Sequence, residues 1–374
     1  MSMVDWDLAV ATGTKLVRPG PPVSREQANQ VVADLRSYAV RAQGHVRAVT
    51  GLEAPTGTAV VAVIDRPGWI RANADGFRIL LLPLLDKLEA KRGGPATGVS
   101  QAIGSRVTAV ETGSLLAFMA SKVLGQYELF TPYGSGTASA PATTGSTLKE
   151  SGPGRLLLVA PNIMAIEQEL EVDPGDFRLW VCVHEETHRV QFGAVPWLRE
   201  FVVSQIQEFL DETDMDASVL IQRLRAAFGA VGDAVRGGDG DGDRHGLSLI
   251  EAVQTPRQRE ILEQVTAVMS LLEGHADHVM DAVGPEVIPS VAEIREKFQR
   301  RRASGTRLDI AVRRLLGLDA KMRQYRDGAR FVSAVVREVG MDGFNRVWTS
   351  PETLPTKDEV AHPSRWVARV HGSH

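Results

Sequence analysis

Cysteine is almost missing from this chain: Cys182 stands alone among 374 residues. One thiol excludes an internal disulfide and any multi-cysteine metal site within the chain. No sign of charge dominates, since 42 Lys and Arg face 46 Asp and Glu for a formal charge of −4. That balance argues against a nucleic-acid binder that works through net charge. Long apolar runs are also missing. The strongest, FRILLLPLL at 77–85, falls well short of the roughly 20 residues that span a bilayer. The opening MSMVDWDLAVATG has neither the basic head nor the apolar core of a secretory signal. No fixed-period repeat runs through the chain. The expectation is a soluble, cytoplasmic protein with no membrane insertion and no nucleic-acid partner. The oligomeric state is not legible.

Hydrophobic residues at 43% and charged residues at 24% suffice for a substantial core. Helical periodicity dominates. Ser24 with Gln27 opens a helix over 25–50 that Gly51 stops. TAVVAVI at 58–64 and RLLLVA at 155–160 read as strands. Pro67 and Gly68 read as punctuation before a helix at 72–91, and another helix is expected at 101–124. The run from Thr131 to Gly154 reads as loop or short hairpin. Asp173 and Pro174 open a major helix that continues through Gln191. Helices follow at 197–211, 216–231, from Pro256 to about Met280, and at 290–303, 307–315, 319–325, 328–339 and 341–348. GGDGDGDRHG at 237–246 lacks the twelve-residue calcium loop and reads as a solvated joint. The fold class is therefore mainly α with a small β component. Residues 1–150 are expected to form an N-terminal, mainly helical region packed on a metal-binding region at 151–374, the two continuous as one large unit.

The strongest chemical signal is VCVHEETHRVQF at 181–192, an H-E-x-x-H pattern. Four residues bring His184 and His188 to about 40° of one another around the helix axis, so both imidazoles can approach one metal. Glu185, one position along, can reach water at that metal without being a ligand. Imidazole and carboxylate donors suit zinc, and thiolate alternatives are gone. Cys182 faces away. The third ligand is sought in LLEGHADHVMD at 271–281, where Glu273, Ala276, Asp277 and Met280 share a stripe. Glu273 is the first candidate, and Asp277 one turn on can accept an imidazole proton from His184 or His188. His278 and His275 remain open as alternative ligands or substrate contacts.

HEETHRVQF, EGHADHVMD and KMRQYRDGARF, with RPGPPVSREQA, TGL and DRPGWIRAN upstream, resemble the zincin-like metallopeptidases of actinobacteria. Some members of that group carry the label "coenzyme F420 biosynthesis associated" or that of a hydrolase. The resemblance covers nearly the whole chain. It implies a mainly helical zincin-like metallopeptidase fold with one Zn2+ per chain. His184, His188 and Glu273 would be the ligands, Asp277 the support of a histidine and Glu185 the base. The separation of 85 positions from His188 to Glu273 departs from the spacing of common secreted peptidases. The function implied is hydrolysis of a peptide or amide bond by zinc-activated water. The alternative is a non-catalytic zinc-containing accessory or binding protein associated with coenzyme F420 metabolism, although no glycine-rich dinucleotide fingerprint accompanies that label. Tyr325 is the first candidate to donate a hydrogen bond to a developing oxyanion.

Overall fold

The computed structural model describes residues 4–54, 60–91, 99–130, 154–212, 255–303 and 318–372. Within these, the side chains of 83–91, 99–104, 302–303 and 318–326 fall outside the description. The loop expected at 131–153, the helices expected at 216–231 and 307–315 and the aspartate-rich joint at 237–246 lie outside the described residues. What is described is mainly helical with a small three-stranded sheet, as the periodicity predicts. Among the described residues no helix is long and apolar enough to cross a membrane.

The chain divides into two compact units, one of residues 1–44 and 54–189, the other of 45–53 and 190–374. In the first, α1 (Trp6–Leu16), α3 (Arg66–Lys91) and α4 (Val99–Ala120) pack together, and the first part of α2 (Arg25–Thr50) belongs to the same unit. α1 and α4 cross closely at Gly13 and Gly113, where a Cβ on Gly113 would stand 2.4 Å from the Ala9 carbonyl oxygen. The sheet has the order β1 (Val61–Ile64), β3 (Arg155–Val159), β2 (Gly125–Glu128). β3 lies in the middle, parallel to β1 and antiparallel to β2, with Gly125 opposite Leu158 and Tyr127 opposite Leu156. Its run Leu156 to Val159 is buried, as a strand covered on both faces should be. α5 (Ala160–Leu170) follows without a break, and α6 (Pro174–Ala194) begins where Asp173 Oδ1 accepts the Asp176 N–H at 2.9 Å.

α3 starts six residues before the expected helix at 72–91. Asp65 caps it, accepting the Gly68 N–H at 2.7 Å, and Pro67 sits in the first turn, where its missing N–H costs nothing. The Pro-Gly pair, expected as punctuation ahead of the helix, therefore lies within its first turn.

In the second unit α7 (Pro196–Asp211), α8 (Pro256–Val283), α9 (Val291–Ala303), α10 (Leu318–Phe344), α11 (Lys357–Ala361) and α12 (Pro363–His371) are described. Leu271, Leu272, Phe331, Val335, Phe344, Trp348 and Trp366 centre its core. The helices expected at 319–325 and 328–339 are one. Gly328 does not break α10. It is where α10 meets α8: a Cβ there would lie 1.9 Å from the Ser270 carbonyl oxygen, and one on Gly274 would lie 2.2 Å from the Gly328 carbonyl carbon. The real interruption is Gly340, at φ 75°, just before the expected restart at 341. Because the contact at Gly328 is with backbone, no rotamer change relieves it. Gly328→Ala is expected to cost at least about 1–3 kcal/mol, the scale of core overpacking. Gly44→Ala on α2, which meets nothing within 4 Å, should be neutral or stabilising. Denaturant titration of the two variants checks this, and equal stabilities would contradict the crossing.

Candidate metal centre

α6 carries the H-E-x-x-H pattern on a well-anchored helix. Near its start, Arg178 is buried and pairs with both oxygens of Glu167 at 2.9 and 2.5 Å and with Asp34 at 2.7 Å. Cys182 is buried with its Sγ 3.8 Å from the Leu35 carbonyl oxygen. Burial, followed by the neighbouring Glu185 and Glu186 charges, pushes its thiol well up, so it stays protonated and inert.

His184 and His188 converge. Their Nε2 atoms stand 3.2 Å apart and their rings meet edge to face, 90° between planes. Two imidazole nitrogens bound to one tetrahedral zinc at 2.0–2.1 Å lie roughly 3.3 Å apart, so this pair has the spacing a metal demands. One ligand atom from each of His184, His188 and Glu273 lies within 4.8 Å of the other two, a group able to hold a metal ion. Gln191, on the last turn of α6, donates from Nε2 to the Leu272 carbonyl at 2.9 Å. His188 is three residues back on the same helix, and Glu273 is the residue after Leu272. On α8, Gly274 beside Glu273 lies at the crossing with α10.

The two glutamates of the motif have different surroundings. Glu186 is fully buried and pairs through both oxygens with Arg189, one contact at 2.7 Å. Burial pushes its carboxyl up, while that carboxylate holds the Arg189 guanidinium above its ordinary range. Glu186 is thereby committed to Arg189, three residues along the same helix. Glu185 is buried too, but it lies under β2: a Cβ on Gly125 would stand 2.5 Å from its Cγ and Cδ. Side chains alternate along a strand. Gly125 and Tyr127 therefore share the α6 face. Gln126 and Glu128 point the other way: Gln126 donates from Nε2 to Asn73 Oδ1 at 3.1 Å, and Glu128 accepts from Arg155. Sequence reasoning passed over Gly125 and all of β2, whose four residues contain one strong β-former.

Of the other expected residues, Asp277 lies half-buried one turn beyond Glu273 on α8. His275 is fully buried against Phe344 and Trp348, ring centroids 5.2 and 5.5 Å away. Its Nδ1 lies 3.0 Å from Gln191 Nε2. That amide nitrogen already gives one hydrogen to Leu272, so the other fixes Nδ1 as acceptor and the imidazole as the Nε2-protonated tautomer. His278 is half-buried, with Nδ1 3.5 Å from Ser333 Oγ, and burial lowers its basicity. Tyr325 belongs to the part of α10 whose side chains lie outside the described residues.

The model of a family described as zincin-like metallopeptidase matches residues 4–367. A solved structure from Chloroflexus aurantiacus, described as a candidate hydrolase with a novel fold, is similar at 29% identity and a TM-score of 0.66. The match covers 99% of this chain and 100% of that one. No curated protein matches.

Proposed function

The chain belongs to the zincin-like metallopeptidase family, and on that premise we propose that it is a zinc-dependent hydrolase of peptide or amide bonds. The observation that carries the reading is the convergence of His184, His188 and Glu273 donor atoms within 4.8 Å, with a second, non-ligand carboxylate one residue from the first histidine. His184, His188 and Glu273 would hold the ion, and Asp277 would orient an imidazole from behind. Zinc, when bound, supplies Lewis acidity that polarises a carbonyl oxygen and acidifies water. Glu185 is the base. Its carboxylate takes a proton from the attacking water and gives it to the leaving nitrogen, so that the amine departs neutral. Glu186 cannot share this work, because Arg189 occupies both its oxygens. Tyr325 is the proposed donor to the oxygen that becomes negative in the transition state.

The test is a digestion screen over mixed peptides and simple amides with zinc-loaded protein and with protein stripped by a chelator. Cleavage should appear in the loaded sample, vanish on stripping and return with zinc. Cleavage unchanged by stripping would refute the metal's part in it.

A further inference from the structure

We infer that Gly125 is a positioning residue for the Glu185 carboxylate: the side chain it lacks is the space in which that carboxylate stands. The inference rests on the reading of Glu185 as the base. Glycine in the body of a strand is a cost, in backbone entropy and lost packing, and it commonly marks a close approach. Here the backbone offers no reason for it. Gly125 is not among the glycines with positive φ, and it sits in regular antiparallel register opposite Leu158. What the missing Cβ leaves room for is Glu185. A methyl group at 125 would stand 2.5 Å from both Cγ and Cδ of Glu185 and 2.7 Å from Oε1.

Neither partner has an easy retreat. β2 is tied to β3 on both sides of the contact, through the paired strand and through the Val159 N–H to the Leu124 carbonyl at 2.8 Å. Glu185 is only 6% exposed, and two of its carbons are struck, so turning the carboxylate tip does not clear the contact. α6 is tied to its neighbours through Arg178, which pairs with Glu167 on α5 and with Asp34 on α2, and these ties resist a roll of the helix. A side chain at 125 must therefore push the Glu185 carboxylate from its place. The metal ligands are not what the methyl meets, since the three atoms nearest to it all belong to Glu185 and none to His184 or His188. Displacing a reacting group by about 1 Å costs on the order of 100-fold in rate.

The first test needs neither metal nor substrate. Thermal denaturation is measured for the native protein, Gly125→Ala, Glu185→Ala and the double variant. Glu185→Ala deletes the very carbons that the new methyl strikes. Gly125→Ala should lower Tm in the native background and leave it unchanged beside Ala at 185. An equal drop in both backgrounds would overturn the contact. The second test uses zinc-loaded protein and any substrate the screen finds. Gly125→Ala should keep about one zinc, lower kcat roughly 10–100-fold and leave KM near native. In a Glu185→Gln background it should cause no further loss. Native kcat in Gly125→Ala, with Glu185→Gln inactive, would overturn this inference alone. Full turnover by Glu185→Gln would instead overturn the base on which it rests. Should Gly125→Ala fail to fold while the double variant folds, the steric claim stands. Should both fail, the glycine serves the sheet and the inference falls.

Discussion

Glu185→Gln is expected to keep its metal and lose hydrolysis by about 10²–10⁴-fold, the range a positioned acid–base group contributes. Glutamine has the shape of glutamate, so it fits the same space under Gly125 and leaves the helix undisturbed. It cannot take up a proton near neutrality. Glu186 does not replace it, because it is fully buried and bound to Arg189. Metal analysis beside kcat on the same preparations is the check. Zinc near the native level with kcat down by two or more decades is the expected pair of results. Equal turnover would remove Glu185 from the chemistry.

The second large effect concerns the metal itself. His188→Ala or Glu273→Ala removes a donor from the group at His184, His188 and Glu273. Either should weaken zinc binding by more than the roughly 10–100-fold that losing an outer contact costs. With it goes the stabilisation that a bound ion gives the folded state, so the zinc-dependent rise in Tm should disappear. His278→Ala is the discriminating control: its Nδ1 lies near Ser333, and zinc affinity should stay near native. Competition titration against a coloured chelator measures all three. A loss at His278 equal to that at Glu273 would exchange the third ligand.

Much of this was legible in the sequence because its causes are local. Asp173 and Pro174 announce α6, Ser24 and Gln27 announce α2 through reciprocal capping contacts of 2.9 and 3.1 Å, and a spacing of four places two imidazoles side by side. The stripe on α8 pointed to Glu273 because a carboxylate among apolar neighbours needs a counter-charge. What stayed hidden depends on partners far along the chain. Gly328 looks like a helix breaker until Ser270 is seen against it. Glu186 and Arg189, three residues apart, look like a surface pair until both prove buried. β2 is four residues at the sheet's edge with one tyrosine to favour it, and it takes its form from β3. Gly125 carries no signal of its own, since its reason is a side chain sixty residues away.

The account turns on one ion held by residues from α6 and α8. Zinc content of the purified protein, read together with an anomalous-scattering map at the zinc edge, tests it most directly. About one zinc per chain, with density touching His184, His188 and Glu273, is the predicted result. Protein that takes up no zinc, or an ion bound away from Glu273, would contradict it.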